Sequence, residues 1–315
     1  MVDVTEESRP RVVILLGSTG VGKSRLVIEL AEAFGGEIVS ADSMQVYRYM
    51  DIGTAKPTPE ERKRVRHHLI DLVNPDQPFH ADLCRILGRK AIDQLYQRGQ
   101  PIWVVGGTGL YIKALIQGLF PSPRIDPKVR ERLKQESKEK GGASLFERLR
   151  QVDPKTASHL HPHDLFRTIR ALEVFNSTGV PISFLREQHR FGDRPYVTLK
   201  IGLEMSPRAL YDKIEQRIDQ MIDTGFLQEV KRLMEMGYGA ELKPMQSLGY
   251  KQMVQFLSKE MEWDEAVRQM KRDTRHYAKR QGTWFKRDPE VHWYEASMDR
   301  EKIFREVTSF LKGGG

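Results

Sequence analysis

Cysteine and long apolar runs are nearly absent from this sequence. Its 315 residues include one cysteine, Cys84, which excludes an internal disulfide framework and any zinc site built from several cysteines. No apolar run approaches the roughly 20 residues that a membrane-spanning helix needs. We therefore expect Cys84 to be a small buried residue. We also expect a cytoplasmic, monomeric protein without membrane association.

Acidic residues are outnumbered by basic ones. The chain has 51 Lys+Arg against 43 Asp+Glu, a formal net charge of +8 at pH 7, which favours a polyanionic partner without identifying it. Residues 268–287, the basic segment, contain eight basic residues and one acid, Asp273, and so contribute +7. Four of the basic residues recur at intervals of four, three and four, which predicts one basic helix face: Arg268, Arg272, Arg275 and Lys279.

A solvated charged face is the usual explanation of such a segment. Aromatic residues accompany this one, namely Tyr277, Trp284 and Phe285. Aromatic side chains beside basic ones are typical of surfaces that bind RNA phosphates and stack on bases. Charge and composition alone leave both interpretations open.

The order of helical and β-rich segments indicates an α/β fold with an insertion. The first 120 residues alternate short β-rich runs with helical patterns, which is typical of a parallel sheet covered by helices. From Pro121 the chain is charged and helical, with Asp126-Pro127 and Asp153-Pro154 as helix starts, and Val197–Met205 returns to strand composition. The expected domains are an α/β core with C-terminal helices, residues 10–120 and 197–312, and an inserted all-helical domain, residues 121–196.

The segment GSTGVGKS has the pattern of a phosphate-binding loop (P-loop) between the strand Val12–Leu16 and an amphipathic helix. In such a loop successive backbone N–H groups face phosphate oxygens, Lys23 adds a positive charge, and the Ser24 hydroxyl can bind Mg²⁺. The core is therefore expected to be a P-loop NTPase-like parallel sheet. The candidate phosphate-binding residues are Gly17, Ser18, Thr19, Gly20, Val21, Gly22, Lys23 and Ser24. The loop alone does not distinguish ATP from another polyphosphate.

Two further segments follow predicted strands, at the sheet edge where parallel sheets bind ligands. Asp42 and Ser43 follow Glu37–Ser40, and Asp42 has two candidate roles, as the proton acceptor for an attacking nucleophile or as a helix cap. Thr108, in GGTGLY after the strand PIWVV, can donate a hydrogen bond. That strand ends in glycines and lacks the acidic residue that holds the metal in motor and switch ATPases, which argues against such an ATPase.

Seven segments, in order from about residue 12 to 290, resemble the bacterial tRNA dimethylallyltransferases, also called tRNA isopentenyltransferases. They are GSTGVGKS, SADSMQVYRYMDIGTAKP, HHLID, GGTGLYIKAL, HDLFRTIRALEVFNSTG, QSLGYKQ and TRHYAKRQGTWFKR. Ser18 stands where proline is common in that family. Residues 79–92 match the family only loosely, which leaves their role unassigned.

This resemblance implies transfer of a dimethylallyl group from dimethylallyl diphosphate to the exocyclic amine of the adenosine 3′-adjacent to the anticodon, position 37. The products would be N6-isopentenyladenosine and diphosphate, so the P-loop would hold a leaving group, with Mg²⁺ on Ser24. Asp42 would act as general base, and Thr108 would hydrogen-bond the adenine or the donor. Arg130 would reach the diphosphate from the inserted domain, which makes Asp42, Thr108 and Arg130 the implied catalytic residues.

The implied macromolecular partner is the tRNA anticodon stem-loop. Because the amine is buried in a stacked loop, the target base would be flipped into the protein. The resemblance implies tRNA contacts at Asp42, Ser43, Met44, Gln45, Thr108, Arg130, Phe166, Arg167, Thr168, Ile169, Arg170, Gln246, Gly249, Tyr250, Arg272, Arg275, Lys279, Arg280, Gln281 and Trp284.

Two other functions fit parts of the sequence. A nucleotide or small-metabolite kinase would explain the P-loop, with Asp42 activating an acceptor hydroxyl, but it would not explain the basic segment. A non-catalytic RNA-binding protein with a vestigial nucleotide fold is disfavoured by the intact Lys23-Ser24 pair. His67-His68 resembles a metal-binding pair, but helix neighbours point apart and no third ligand is evident, so we expect a structural role.

Overall fold

The structure is a computed structural model of the chain, and it describes residues 9–119, 126–189 and 192–313. These residues divide into two compact units, one within 1–116 and 194–315 and the other within 117–193. The second unit therefore begins four residues before the predicted insertion begins and ends three residues before it ends. The predicted start of the insertion, residues 121–125, lies outside the described residues.

The first unit contains a parallel sheet. Its strands within the described residues are β1 (Arg11–Gly17), β2 (Glu37–Ser40), β3 (His67–His68), β4 (Ile102–Gly106), β5 (Val197–Glu204) and β6 (Val291–Glu295). They lie in the order β3-β2-β4-β1-β5-β6, and each neighbouring pair is parallel. This confirms the predicted fold class. Strand β5, which follows the second unit in sequence, pairs with β1 along its whole length, from Arg11↔Val197 to Gly17↔Leu203.

Helices account for most of the remaining described chain. They are α1 (Lys23–Phe34), α2 (Pro59–Arg64), α3 (Ala81–Gln97), α4 (Gly109–Gln117), α5 (Pro127–Lys140), α6 (Gly142–Val152), α7 (Pro154–Ala157), α8 (Leu165–Thr178), α9 (Ile182–His189), α10 (Pro207–Asp223), α11 (Phe226–Glu235), α12 (Tyr250–Leu257), α13 (Trp263–Phe285) and α14 (Arg300–Leu311). Helices α5 to α9 belong to the second unit. The predicted starts of α5 and α7 are confirmed, because the Asp126 and Asp153 carboxylates accept hydrogen bonds from first-turn amides ahead of a proline.

Alternate residues of β1 divide the apolar core of the first unit between the two faces of the sheet. Val13 and Leu15 pack with α1 and α14, whereas Val12, Ile14 and Leu16 pack with α3, α4 and the helices α10 to α13. All five side chains are at most 2 % exposed. A strand buried on both faces reads as a continuous apolar run, which is why β1 was recognisable in the sequence.

The second unit has an apolar core of its own. Leu133 of α5, Leu145 and Leu149 of α6, Leu172 of α8 and Ile182 of α9 form one buried cluster. This packing explains why a segment rich in charge still folds, since each of these helices contributes apolar side chains to one shared cluster.

Several residues that resemble reactive or metal-binding groups are structural. Cys84 is buried in the first unit, and burial raises the pKa of its thiol to about 12, which confirms the expected unreactive cysteine. His67 and His68 form strand β3, so their expected placement on a helix is wrong, whereas a structural role fits their contacts. His68 Nε2 lies 2.6 Å from a Glu37 carboxylate oxygen, and His67 Nδ1 lies 2.8 Å from the Val65 carbonyl oxygen. Among the described residues, no helix is long and apolar enough to cross a membrane.

Candidate active site

The P-loop joins β1 to α1 and leaves the first amides of α1 uncapped. Gly22 precedes the helix with φ 105°, a left-handed conformation that favours glycine, and no side chain caps the helix. Gly17 has φ 139°, and a Cβ atom there would lie 2.5 Å from the Leu203 carbonyl oxygen of β5. The geometry therefore requires glycine at both positions and leaves the helix N-terminus available to an anion.

Lys23 folds back on the loop that contains it. Its Nζ donates hydrogen bonds to the carbonyl oxygens of Gly17 at 3.0 Å and Ser18 at 2.8 Å. Burial lowers the pKa of Lys23 to about 8, and the nearby Arg217 guanidinium acts in the same direction, whereas Asp42 opposes both. The lysine therefore has less positive charge at alkaline pH than a solvent-exposed lysine has.

Arg217 of α10 is a second cation at this site that sequence reasoning missed. Its guanidinium donates to the Thr19 hydroxyl at 3.3 Å, and burial lowers its pKa while Asp42 raises it. No motif surrounds Arg217 in the sequence, and its position on an amphipathic helix gives no sign that α10 packs beside the P-loop. Arg217 and Lys23 are far apart in the sequence and become neighbours only in the folded structure.

A polar groove of about 510 Å³ runs along the P-loop. One side is the loop itself with Lys23 and Ser24, and Arg217 borders the groove from α10. The segment Thr54–Pro57, together with Asp42, borders it as well. Two cations, free helix amides and a hydroxyl in one groove suit a polyphosphate.

An apolar cavity of about 260 Å³ adjoins the polar groove. Asp42, Arg217 and Tyr277 border both spaces. The remaining wall is mainly aliphatic and thioether side chains, from Met44, Ile214, Ile218, Met221, Leu248 and Met270. A ligand that occupies both spaces therefore has one charged end and one apolar end.

Asp42 lies two residues past the end of β2, at the sheet edge where it was predicted. Its Oδ1 accepts hydrogen bonds from the backbone N–H groups of Met44 at 2.8 Å and Gln45 at 3.3 Å. These bonds close a turn, because the next helix, α2, begins only at Pro59. The role as helix cap is therefore wrong, and Oδ2 accepts no hydrogen bond from any residue that the structure describes.

Thr108 connects the segment that follows β4 to the segment that follows β2. Its Oγ1 accepts a hydrogen bond from the Ser43 backbone N–H at 3.1 Å. The Tyr277 hydroxyl of α13 lies within hydrogen-bonding reach of Thr108 and Gln281, and burial raises the pKa of Tyr277 to about 12, with Asp42 acting in the same direction. Asp42, Thr108 and Tyr277 thus form one polar cluster beside the apolar cavity.

Gln281 is predicted to contact tRNA, but the structure gives its side chain another role. It is 7 % exposed, its Oε1 accepts from the Thr19 N–H at 2.8 Å, and its Nε2 donates to the Gly107 carbonyl oxygen at 2.8 Å. One turn earlier, the Ala278 carbonyl accepts a hydrogen bond from the Ser18 hydroxyl at 2.8 Å. Helix α13 therefore braces the P-loop through its buried side. The Gln281 side chain borders the polar groove, and its contact with tRNA stays a prediction.

Three other predicted tRNA contacts are also buried side chains, of which Tyr250 borders the apolar cavity, and each of these contacts stays a prediction. Tyr250 is 1 % exposed, and its hydroxyl donates to Glu229 at 2.6 Å inside the first unit. In the second unit, Thr168 is 1 % exposed and Ile169 is part of the apolar cluster. The sequence could not reveal this, because these residues lie within the same motifs as exposed ones.

The basic segment is less free than its composition suggests. Arg275 is paired with Glu215 and Lys271 with Asp219, both acids of α10. Arg268 and Arg272 pair with acids of α13 itself. Charge counting along the sequence missed α10, which places acids opposite this face.

The C-terminal half of α13 is where cations remain unpaired. Lys279 and Arg280 are exposed and form no ion pair with any described residue, although the Arg280 guanidinium lies 5.9 Å from the centre of the Tyr277 ring. Trp284 is 46 % exposed and packs on Gly109, where a Cβ atom would lie 2.1 Å from the indole nitrogen. Exposed cations beside an exposed indole are typical of RNA surfaces.

The remaining predicted residues lie in the second unit and in the turn before α12. Phe166 is 73 % exposed, and Arg167 pairs with Asp164 at the start of α8. Arg130 and Arg170 both bind the buried carboxylate of Glu173. In the turn, the Gln246 side chain donates to the Ala240 carbonyl oxygen, and Gly249 has φ 88°.

Residues 79–92, whose role was unassigned, form the start of α3. The His80 imidazole accepts the Leu83 N–H at 3.3 Å as the helix cap, and Phe79 and Cys84 are buried in the core of the first unit. This segment packs against the sheet and borders neither the polar groove nor the apolar cavity.

Diphosphate binding is expected to weaken at alkaline pH. Above about pH 8 the free Lys23 is largely neutral, whereas a bound diphosphate favours its charged form, so binding must then take up a proton. Apart from the effect of diphosphate ionisation, the dissociation constant of inorganic diphosphate should stay level up to about pH 8 and then rise by up to about tenfold per pH unit. Calorimetry in buffers of different ionisation enthalpy measures both quantities.

Lys23→Met is the matched control, because it retains the loop and removes the titrating group. Ionisation of the diphosphate itself is common to both proteins, so the difference between them isolates the lysine. Equal proton uptake by the two proteins at about pH 9 would contradict the assignment.

Comparison with known proteins identifies the family. The family model described as IPP transferase matches residues 45–288, and the one described as isopentenyl transferase matches residues 10–77. The chain is 51 % identical to tRNA dimethylallyltransferase 2 of Syntrophus aciditrophicus, over 97 % of this chain and 98 % of that protein. It is 54 % identical to the tRNA dimethylallyltransferase of Syntrophobacter fumaroxidans, over 94 % and 86 % of the two chains.

Solved structures agree with these relatives. The crystal structure of the tRNA isopentenylpyrophosphate transferase from Bacillus halodurans matches with a TM-score of 0.73 and 36 % identity, over 97 % of this chain and 98 % of that one. A eukaryotic dimethylallyltransferase acting on tRNA matches with a TM-score of 0.81 and 29 % identity, over 97 % and 80 %. A kinase is therefore not favoured, and the chain belongs to the IPP transferase family of transferases.

Proposed function

We propose that the protein transfers the dimethylallyl group from dimethylallyl diphosphate to the exocyclic amine of adenosine 37 in tRNA, giving N6-isopentenyladenosine and diphosphate. The observation that carries this proposal is that Asp42 borders both the polar groove and the apolar cavity. A donor with a charged diphosphate and an apolar allyl group fits two adjoining spaces of this kind. The acid then lies beside the bond that breaks. The names of the relatives support the same reaction.

The P-loop would stabilise the leaving group. Negative charge builds on the diphosphate as the allylic C–O bond breaks, and groups already aimed at that charge lower the barrier. The uncapped amides at the start of α1 are such groups. Lys23 would exchange the carbonyl oxygens of its own loop for diphosphate oxygens, and Arg217 would add a second positive charge.

Mg²⁺ fits the residues at the start of α1. The Ser24 hydroxyl borders the polar groove and makes no hydrogen bond with any described residue. In the part of the chain that the structure describes, no group of three acidic, histidine or cysteine side chains is placed to hold a metal. Ser24 would therefore hold the ion together with diphosphate oxygens and water, which are ligands that Mg²⁺ prefers. When bound, the ion neutralises charge on the leaving diphosphate.

Asp42 would accept the proton of the attacking amine. The adenine amine is a weak nucleophile because its lone pair is delocalised into the ring. Hydrogen bonds from the Met44 and Gln45 amides to Oδ1 fix the carboxylate and leave Oδ2 for the proton. General-base help of this kind typically contributes about 10²–10⁴ in rate. Thr108 and Tyr277, which adjoin Asp42, would hydrogen-bond the flipped adenine.

The exposed side of α13 and part of the second unit would bind the tRNA. Lys279, Arg280 and Trp284 offer unpaired cations and an indole, and Phe166 and Arg167 are exposed on α8. The other predicted tRNA contacts stay predictions: Ser43, Met44, Gln45, Arg130, Thr168, Ile169, Arg170, Gln246, Gly249, Tyr250, Arg272, Arg275 and Gln281. A monomeric state and a cytoplasmic location also stay predictions, and a lone buried cysteine is compatible with a reducing compartment.

Incubation with labelled dimethylallyl diphosphate and unmodified tRNA should place the label on the RNA. A parallel assay with ATP should show no consumption, because the proposed reaction breaks a C–O bond and transfers no phosphoryl group. ATP consumption with unlabelled RNA would instead indicate a kinase. RNA binding without either reaction would indicate a non-catalytic binding protein.

Replacement of Asp42 separates its role as a base from its role in the turn. Asp42→Asn keeps an oxygen for the Met44 and Gln45 amides but cannot accept a proton. Its kcat should fall by about 10²–10⁴ while tRNA affinity stays unchanged. Asp42→Ala should lose at least as much activity. An Asn variant with near-normal kcat beside an inactive Ala variant would show that Asp42 only holds the turn.

Two double variants test the basic face of α13. Lys279→Ala with Arg280→Ala removes unpaired cations, so it should weaken binding of an anticodon stem-loop and lower the slope of log Kd against log salt by about 1.5. Arg272→Ala with Arg275→Ala should act in the same direction but less, because acids already neutralise both arginines. An unchanged salt slope in both double variants would contradict this RNA surface.

A further inference from the structure

The segment Asp51–Pro57 forms walls of the active site without being a helix or a strand. Gly53 and Thr54 border the apolar cavity, and Thr54–Pro57 borders the polar groove. A catalytic wall must keep its position to within fractions of an ångström if it is to orient a reacting group. This segment therefore needs anchors from elsewhere in the fold.

A single buried carboxylate supplies the main anchor. Glu229 of α11 is 2 % exposed, and its Oε2 accepts hydrogen bonds from the N–H groups of Asp51 at 2.8 Å and Ile52 at 2.7 Å. Its Oε1 accepts from the Gly53 N–H at 3.1 Å and from the Tyr250 hydroxyl at 2.6 Å. Three successive backbone amides thus converge on one side chain, an arrangement that binds anions.

No cation shares this carboxylate. Glu229 forms no ion pair with a lysine or arginine among the described residues, so four neutral donors alone stabilise its charge. Each oxygen accepts two of these bonds. Because no countercharge is present, these four hydrogen bonds must offset the cost of burying the carboxylate. The same bonds hold the segment that supplies three of the donors in place.

The segment has no room to move toward α11. A Cβ atom on Gly53 would lie 2.2 Å from the Phe226 ring and 2.6 Å from the Tyr250 ring. On the other side, the Gln45 amide donates to the Ala55 carbonyl oxygen at 3.1 Å. The Gln45 backbone N–H also donates to Asp42 at 3.3 Å. Hydrogen bonds therefore run from Glu229 through the wall to the proposed base.

We propose that Glu229 is a positioning residue for the transfer reaction. It holds the Gly53–Thr54 wall so that the allyl group of the donor stays against Asp42. Glu229 itself borders neither the apolar cavity nor the polar groove. It therefore acts through Gly53 and Thr54 of the wall and through Tyr250, which also borders the cavity. This inference rests on the proposed function, and it adds a residue that no motif in the sequence distinguishes.

Glu229→Gln is the test, because it keeps size and shape. The carboxamide offers one oxygen in place of two, and its NH₂ group then faces two of the four donors. The Tyr250 hydroxyl can turn and accept from that group, whereas the Gly53 amide cannot. We expect the KM for dimethylallyl diphosphate to rise about tenfold, with the KM for tRNA within about twofold of wild type.

KM is the informative readout because it does not depend on the folded fraction. A merely structural loss lowers kcat per mole of protein in proportion to that fraction and leaves the donor KM unchanged. Glu235→Gln is the matched control, since Glu235 lies on the same helix, is exposed and, among the described residues, pairs with Lys231 alone. It should leave both KM values and kcat unchanged.

Tyr250→Phe keeps the proposal testable if Glu229→Gln does not fold. It removes one of the four donors and leaves the three backbone bonds, so the donor KM should rise by only about two- to threefold. An unchanged donor KM in the folded variant, or equal changes for donor and tRNA, would overturn the proposal. Failure of the wild-type protein to label tRNA would instead refute the proposed function.

Discussion

The candidate site depends on the P-loop keeping its shape, and contacts from outside the loop maintain that shape. The P-loop aims its N–H groups at an anion, and its lysine bonds to carbonyl oxygens of the same loop. Its shape is fixed from outside by α13, through Ser18 on the Ala278 carbonyl and Gln281 on the Thr19 amide. The opposite side of that helix bears the unpaired cations. One helix therefore sets the donor site and contributes to the proposed RNA surface.

In the proposed function, the groups beside the P-loop determine which reaction takes place. The loop, Lys23 and Ser24 match those of nucleotide-binding proteins, and nothing within the loop selects the reaction. Under the proposed function, the reaction is selected by the adjoining cavity, whose wall is mainly aliphatic and thioether side chains, and by Asp42 at its border. An acceptor hydroxyl of a kinase substrate would leave those apolar surfaces in water, whereas an allyl group covers them.

Local features were predictable and long-range ones were not. Strands β1, β2, β4 and β5, the P-loop and the helix starts at Asp126 and Asp153 follow from adjacent residues, so the sequence alone predicted them. The two short edge strands β3 and β6 were not predicted. Arg217 and Glu229 lie on ordinary amphipathic helices, and their roles exist only because α10 and α11 pack where they do. The basic segment contains one acid in its own sequence, but the fold places Glu215 opposite Arg275. Glu215 lies 60 positions earlier in the chain, so counting charges along the segment could not include it.

The bonds between Lys23 and its own loop have a consequence for the end of the catalytic cycle. In the proposed reaction, the Lys23 ammonium group would return to these carbonyl oxygens when the diphosphate departs, so its buried charge would keep hydrogen-bond partners. Internal partners of this kind compete with the product for the same donor. This competition would speed product release, because a site that binds the leaving group tightly would otherwise retain the diphosphate and delay the next turnover.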